Sequence, residues 1–153
     1  ALEPLCKGRD IQWQIGPLPP IHGHAGLLHQ AFVNLLGNAI KYTAAQAQAR
    51  IEVRALLRPS GSHEISVIDN GAGFDPAHAD QLFKPFRRLH SAQDFVGEGM
   101  GLANVRRIVE RHGGAVEARG RLGEGAMFTM VFPRHPLAAE PVISRANPDR
   151  TGT

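Results

Sequence analysis

Asn34, Asn38 and Lys41 recur at steps of four and three along one stretch, His24 to Thr43, with Gln30 earlier on the same stripe. Amide oxygens suit a hard cation and a lysine neutralises phosphate, so the stripe reads as one wall of a polyphosphate site. The competing reading is a solvated helix face that happens to carry two asparagines. Asp69 supplies a second kind of group, a carboxylate at the end of an alternating run, followed by two glycines in Asp69-Asn-Gly-Ala-Gly-Phe74. A carboxylate there can accept from an exocyclic amino group such as that of adenine, where guanine offers a carbonyl. A charge-assisted bond of this kind contributes roughly 1.5–3 kcal/mol. Gly71 and Gly73 would let backbone approach a ligand closely. An Asx turn closing a strand is the alternative, and a calcium loop is a third reading. Against the calcium loop, Gly71 and Gly73 fall where an EF-hand needs oxygen ligands. Gly97, Gly99 and Gly101 then precede a helical pattern, and free N–H groups at a helix start suit phosphate. No Gly-Lys-Ser/Thr follows, so this is not a Walker loop, and the spacing is not that of a dinucleotide fingerprint.

The elements that must position these groups follow from periodicity. Leu27, Leu28, Ala31, Phe32, Leu35, Leu36, Ala39 and Ile40 give the central helix a broad apolar face. Ile11 to Ile15 alternates and reads as a strand, stopped by Gly16-Pro17 and Pro19-Pro20. Arg50 to Leu57 and His63 to Asp69 flank the turn Pro59-Ser-Gly-Ser62 and predict a hairpin, with Ile51, Val53, Ala55 and Leu57 on its buried face. A short amphipathic piece is expected around Ala79 to Phe83. Leu102, Val105, Ile108 and Val109 mark a second helix, Leu102 to His112, stopped by Gly113-Gly114. Ala115 to Arg119 and Ala126 to Phe132 form a closing hairpin around Leu122-Gly-Glu-Gly125. The expected fold is an α+β two-layer sandwich, a mixed, mostly antiparallel sheet with helices on one face.

At 153 residues the chain suits one domain that folds without staples. Residues 1–10 read as the end of a linker, 11–133 as the folded domain, and 134–153 as a mobile tail rich in Pro, Ala and Arg. The single cysteine, Cys6, excludes an internal disulfide framework. A net charge of +3, spread along the chain, argues against nucleic acid as the partner. The histidines lack paired-ligand spacing for zinc. No apolar run is long enough to span a bilayer and no signal peptide opens the sequence, which predicts a cytoplasmic domain without membrane contact.

Taken together, these segments carry a resemblance. Asn34, Asn38, Lys41 and Tyr42 match an asparagine box, and Asp69, Gly71 and Gly73, with Phe74 beside them, a first glycine box. Phe83, Pro85 and Phe86 match a phenylalanine box, and Gly97, Gly99, Gly101 and Leu102, with Met100 between, a second glycine box. Gly123 to Thr129 matches the closing hairpin. Residues 11–133 thus resemble the catalytic and ATP-binding domain of sensor histidine kinases. That family belongs to a superfamily shared with DNA gyrase, a heat-shock chaperone and the mismatch-repair ATPase, and has the Bergerat-type ATP-binding fold. The opening strand and the Ala39-Ile-Lys-Tyr-Thr43 ending are most similar to kinases attached to phytochrome-type photoreceptors.

The resemblance implies a role for each residue. Asn38 would hold Mg2+ with Asn34 assisting, Lys41 would lie near the phosphates, and Tyr42 and Thr129 would line the nucleotide site. Asp69 would receive the adenine amino group. Residues 75–100 would form a lid over ATP, with Arg87 or Arg88 reaching the γ-phosphate. Phe83, Phe86 and Phe95 would either pack or dock that lid. Hydrolysing relatives commonly carry a glutamate where Asn34 stands, and an amide cannot act as a base at neutral pH. The implied reaction is therefore γ-phosphoryl transfer to a histidine on a separate dimerisation domain, and from there to a response regulator receiver domain. No histidine box is present in this sequence. His24 and Leu27 replace an aspartate and arginine common in the family, and Gln46 to Gln48 lacks its usual charges. A degenerate docking module and a gyrase- or chaperone-type ATPase are the alternative readings.

Overall fold

A computed structural model describes residues 2–84 and 101–134. Five strands form one sheet: β1 (Ile11–Ile15), β2 (Ala49–Leu57), β3 (His63–Asp69), β4 (Ala115–Arg121) and β5 (Gly125–Phe132), in the spatial order β1-β2-β3-β5-β4. Only β1–β2 is parallel, and the other three pairings are antiparallel. The long helix α2 (Ala25–Tyr42) is the crossover between β1 and β2, and α3 (Gly101–Arg111) packs beside it on the same side of the sheet. This is the expected α+β sandwich.

The core lies between the sheet and these two helices. Ala31, Leu35, Ala39 and Ile40 of α2 meet Leu102, Val105, Ile108 and Val109 of α3 over Ile51, Val53, Ile65, Val67, Phe128 and Met130. Burying each larger apolar side chain contributes roughly 1.5–3 kcal/mol. The β3–β5 register sorts the faces: Asp69 pairs with Ala126, Val67 with Phe128 and Ile65 with Met130, all toward the helices. Ser66 and Thr129 pair on the opposite face. On β2 the expected alternation holds for Ile51 and Val53, but Leu57, at the turn end of the hairpin, is 67% exposed. On the outer face Arg58 pairs with Glu64 and, at 3.4 Å, with Glu117.

Gly113 adopts φ +77° and ends α3 as expected. The amphipathic piece is a 3-10 turn over Pro76–Gln81, capped by Asp75, whose Oδ1 accepts from Ala77 N–H at 3.0 Å. Phe83 is buried edge-on against Phe128, ring centroids 6.2 Å apart, so of the two roles open to it the packing role is the one observed. Phe86 and Phe95 lie outside the described residues, as does the expected tail beyond Arg134. Residues 2–10, which have no period in the sequence, carry a short helix α1 (Glu3–Cys6), with Leu2 and Cys6 packed against the core.

His24 caps α2: its Nδ1 accepts from Leu27 N–H at 3.2 Å. Its own N–H donates to His112 Nε2 at 3.0 Å, and the Nδ1 of His112 lies 2.7 Å from Ile108 O, which fixes the tautomer with the proton on Nδ1. Replacing His24 by alanine removes the cap and is expected to cost about 1 kcal/mol in urea unfolding. His24→Asp should keep that stability, because a carboxylate is an equally good cap at a helix start.

Candidate functional site

The C-terminal half of α2 carries the amide stripe. Asn34, Asn38, Lys41 and Tyr42 are half-buried, whereas Gln30, one turn earlier, is exposed. Asn34 Nδ2 donates to Gly101 O at 3.4 Å, and Asn38 Oδ1 is 3.9 Å from where a side chain on Gly101 would begin. Both amides thus face the first residue of α3. Two side-chain amides lie beside the positive end of a helix, an arrangement suited to phosphate and a hard cation.

A helix end leaves carbonyls without intrahelical partners, and here each of the last four is satisfied. Ala39 O accepts from Thr43 N–H at 3.2 Å and from Thr43 Oγ1 at 2.8 Å. Ile40 O accepts from the Arg9 guanidinium, Lys41 O from Ala44 N–H at 3.1 Å, and Tyr42 O from Ala72 N–H at 3.0 Å. The last of these ties the amide helix directly to the loop after β3.

That loop begins with Asp69, 5% exposed at the strand end on the helix side. Oδ1 accepts from Gly71 N–H at 2.9 Å, and the carboxylate also takes the backbone N–H of Ala126. Burial pushes its pKa up to about 6, with these two donors acting in the opposite direction. A carboxylate has about four acceptor positions, so room remains for a ligand's amino group. The two glycines are points of close backbone packing within the chain. A side chain on Gly71 would begin 2.3 Å from Tyr42 O, and one on Gly73, at φ +64°, 1.9 Å from Arg121 O. They let backbone approach the end of α2 and the β4–β5 hairpin.

Three further residues expected at the nucleotide have side chains placed as follows. Phe74 is buried at 3% exposure beside Phe128, ring centroids 6.1 Å apart, as a core residue. The side chain of Leu102 is likewise part of the core. Thr129 lies on the face of the sheet opposite Asp69, its hydroxyl 2.8 Å from that of Ser66. Arg87, Arg88, Gly97, Gly99 and Met100 lie outside the described residues. Two contributors were missed. The amide of Ala126 is set by strand register, which leaves no mark in composition, and Arg9 sits in a stretch with no period to read.

A family model described as histidine kinase-, DNA gyrase B-, and HSP90-like ATPase matches residues 23–136. The mycobacterial sensor histidine kinase MprB has a similar structure, with a TM-score of 0.75 and 30% identity over 86% of this chain and 90% of that one. The chain belongs to this family, as a sensor histidine kinase ATP-binding domain. Cyanobacterial phytochrome A of Nostoc sp. strain PCC 7120 is 40% identical over 76% of this chain, which spans 15% of the length of that relative. Full-length ShkA in complex with AMPPNP gives a TM-score of 0.69 at 35% identity, covering 86% of this chain and 27% of that one. The kinase domain therefore matches one portion of much longer proteins. Among the described residues no helix is long and apolar enough to cross a membrane.

Proposed function

We propose that this kinase domain binds ATP with Mg2+ between α2 and the loop after β3, and transfers the γ-phosphoryl group to a histidine on a separate dimerisation domain. The observation that supports the reading is that the Asn34 and Asn38 amides face the start of α3, while the buried Asp69 carboxylate stands in the loop tied to the end of the same helix α2. Asp69 accepts from the adenine amino group, Tyr42 flanks the nucleotide, and Lys41 lies near the phosphates. Asn38 holds the metal ion, with Asn34 assisting. The donor set fits Mg2+, because a hard cation takes amide oxygens and phosphate oxygens together. When bound, the ion neutralises phosphate charge. Gly97, Gly99 and Met100, next to Gly101, border the phosphates, and Arg87 or Arg88 meets the γ-phosphate. The solved relative ShkA is held in complex with AMPPNP, an ATP analogue, which supports nucleotide binding by this chain.

Asn34 also points to the acceptor. An amide cannot take a proton from water at neutral pH, so ATP waits for a stronger nucleophile. An imidazole nitrogen attacks the γ-phosphorus in line, the bond to the β–γ bridging oxygen breaks, and ADP leaves with that electron pair. The chain's part is positioning and charge neutralisation. A receiver domain of a response regulator would then take the phosphoryl group. The test mixes the domain with labelled ATP, alone and with a histidine-bearing dimerisation domain. Acid-labile label on the partner, with no label on this chain and preference for ATP over GTP, is the expected result. Release of free phosphate without the partner would make the domain a hydrolase instead.

A further inference from the structure

The geometry points to Arg9 as a positioning residue of the nucleotide site, through which the segment at residues 2–9 and the nucleotide helix steady each other. This rests on the reading of the cleft given above. Arg9 lies outside the residues matched by the family model and is half-buried. Its guanidinium donates to Ile40 O and, through Nη2 at 3.0 Å, to the hydroxyl of Thr43, which is fully buried and itself donates back into α2. The next two residues after Ile40 are Lys41 and Tyr42. One cation thus fixes the turn whose side chains meet the nucleotide and whose last carbonyl holds Ala72 of the aspartate loop. A guanidinium suits this place doubly. Its planar fork serves two acceptors at once, and its charge opposes the negative end of the α2 dipole.

A second contact on α2 belongs to the same segment. Leu2 rests over Gly37, where an added side chain would begin 3.6 Å from its Cδ2, and Gly37 adjoins Asn38. The segment is itself ordered by two local bonds, Leu5 N–H to Leu2 O at 3.0 Å and Arg9 N–H to Cys6 O at 3.1 Å. If Arg9 holds the helix end for the nucleotide, reciprocity requires that bound nucleotide protects α1.

The experiment measures affinity for Mg2+ with AMPPNP and amide exchange at Leu5, in the full chain and in Arg9→Gln and Arg9→Lys. Nucleotide should slow exchange at Leu5 in the parent chain. Arg9→Gln should weaken binding about tenfold and abolish that protection, and Arg9→Lys should recover part of both. A role confined to stability would lower the melting temperature of the variants without any nucleotide-dependent change at Leu5. Equal affinity in Arg9→Gln, or unchanged exchange at Leu5 when the parent chain binds nucleotide, overturns the inference while the nucleotide reading stands. The exchange measurement needs only the parent chain, so it decides the matter even if Arg9→Gln does not fold. No binding by the parent chain would instead overturn the nucleotide reading itself, and the inference with it.

Discussion

Asp69→Asn should bind ATP about 10- to 100-fold more weakly and yet fold more stably than the parent domain. On the function proposed above, the variant would lose one charge-assisted hydrogen bond to the adenine amino group. The stability gain follows from the carboxylate's surroundings. Asp69 ionises near 4 in the unfolded chain but near 6 in the fold, because burial opposes its charge. This contribution to stability is therefore fully present below pH 4, falls as pH rises through 6, and is flat above that. At pH 7 the folded domain bears a cost of roughly 3 kcal/mol for keeping the charge in place. Asparagine removes the charge while its side-chain oxygen can still accept from Gly71 N–H. Calorimetry and urea unfolding at pH 7 test both halves. The parent domain adds a third check, since ATP affinity should drop as the pH is lowered through 6 and the carboxylate takes up a proton. A variant that is weaker in binding and also less stable would show that Asp69 is structural and not held in reserve for a ligand.

Gly73→Ala is expected to destabilise the domain by at least about 3 kcal/mol. Two effects combine there. The backbone sits at φ +64°, and the new methyl group would begin 1.9 Å from Arg121 O and 2.8 Å from Gly125 O. Backbone cannot swing aside as a long side chain can. Gly123→Ala separates the two terms, for Gly123 has a similar φ of +76° with nothing within 4 Å. It should cost only about 1–2 kcal/mol, the strain of the left-handed region alone. Urea titrations of the two variants side by side measure the difference. Equal losses would mean that the hairpin yields and that the contact between the aspartate loop and β4–β5 is loose.

The layout of the fold was legible because its main elements announce their period. The apolar stripe of α2, the Leu102–Val105–Ile108–Val109 face of α3 and the alternation around Ile51 and Val53 each have one polar side and one buried side. Asp69, Asn34 and Asn38 could be singled out because their chemistry is unusual at such places. Direction was harder to read. β5 is buried on almost every residue, so its run Ala-Met-Phe-Thr-Met-Val-Phe has no alternation, and nothing in it tells which face Thr129 takes. Phe74 adjoins the aspartate loop in sequence, but the approach of Gly73 to the hairpin turns its ring into the core. The glycines themselves were recognised as places of close approach, yet only the packed chain says what approaches. Arg9 and α1 escaped notice because four helical residues are too few to display a period.

Since α2 bridges the one parallel strand pair and its last carbonyls are claimed by Arg9, Thr43, Ala44 and Ala72, the helix has no freedom to screw along its axis. Removing a single residue from its middle would rotate everything beyond the cut by about 100°, carrying both asparagines off the cleft or tearing the β1–β2 ladder. Evolution can therefore exchange side chains on this wall one at a time but cannot shorten or lengthen it.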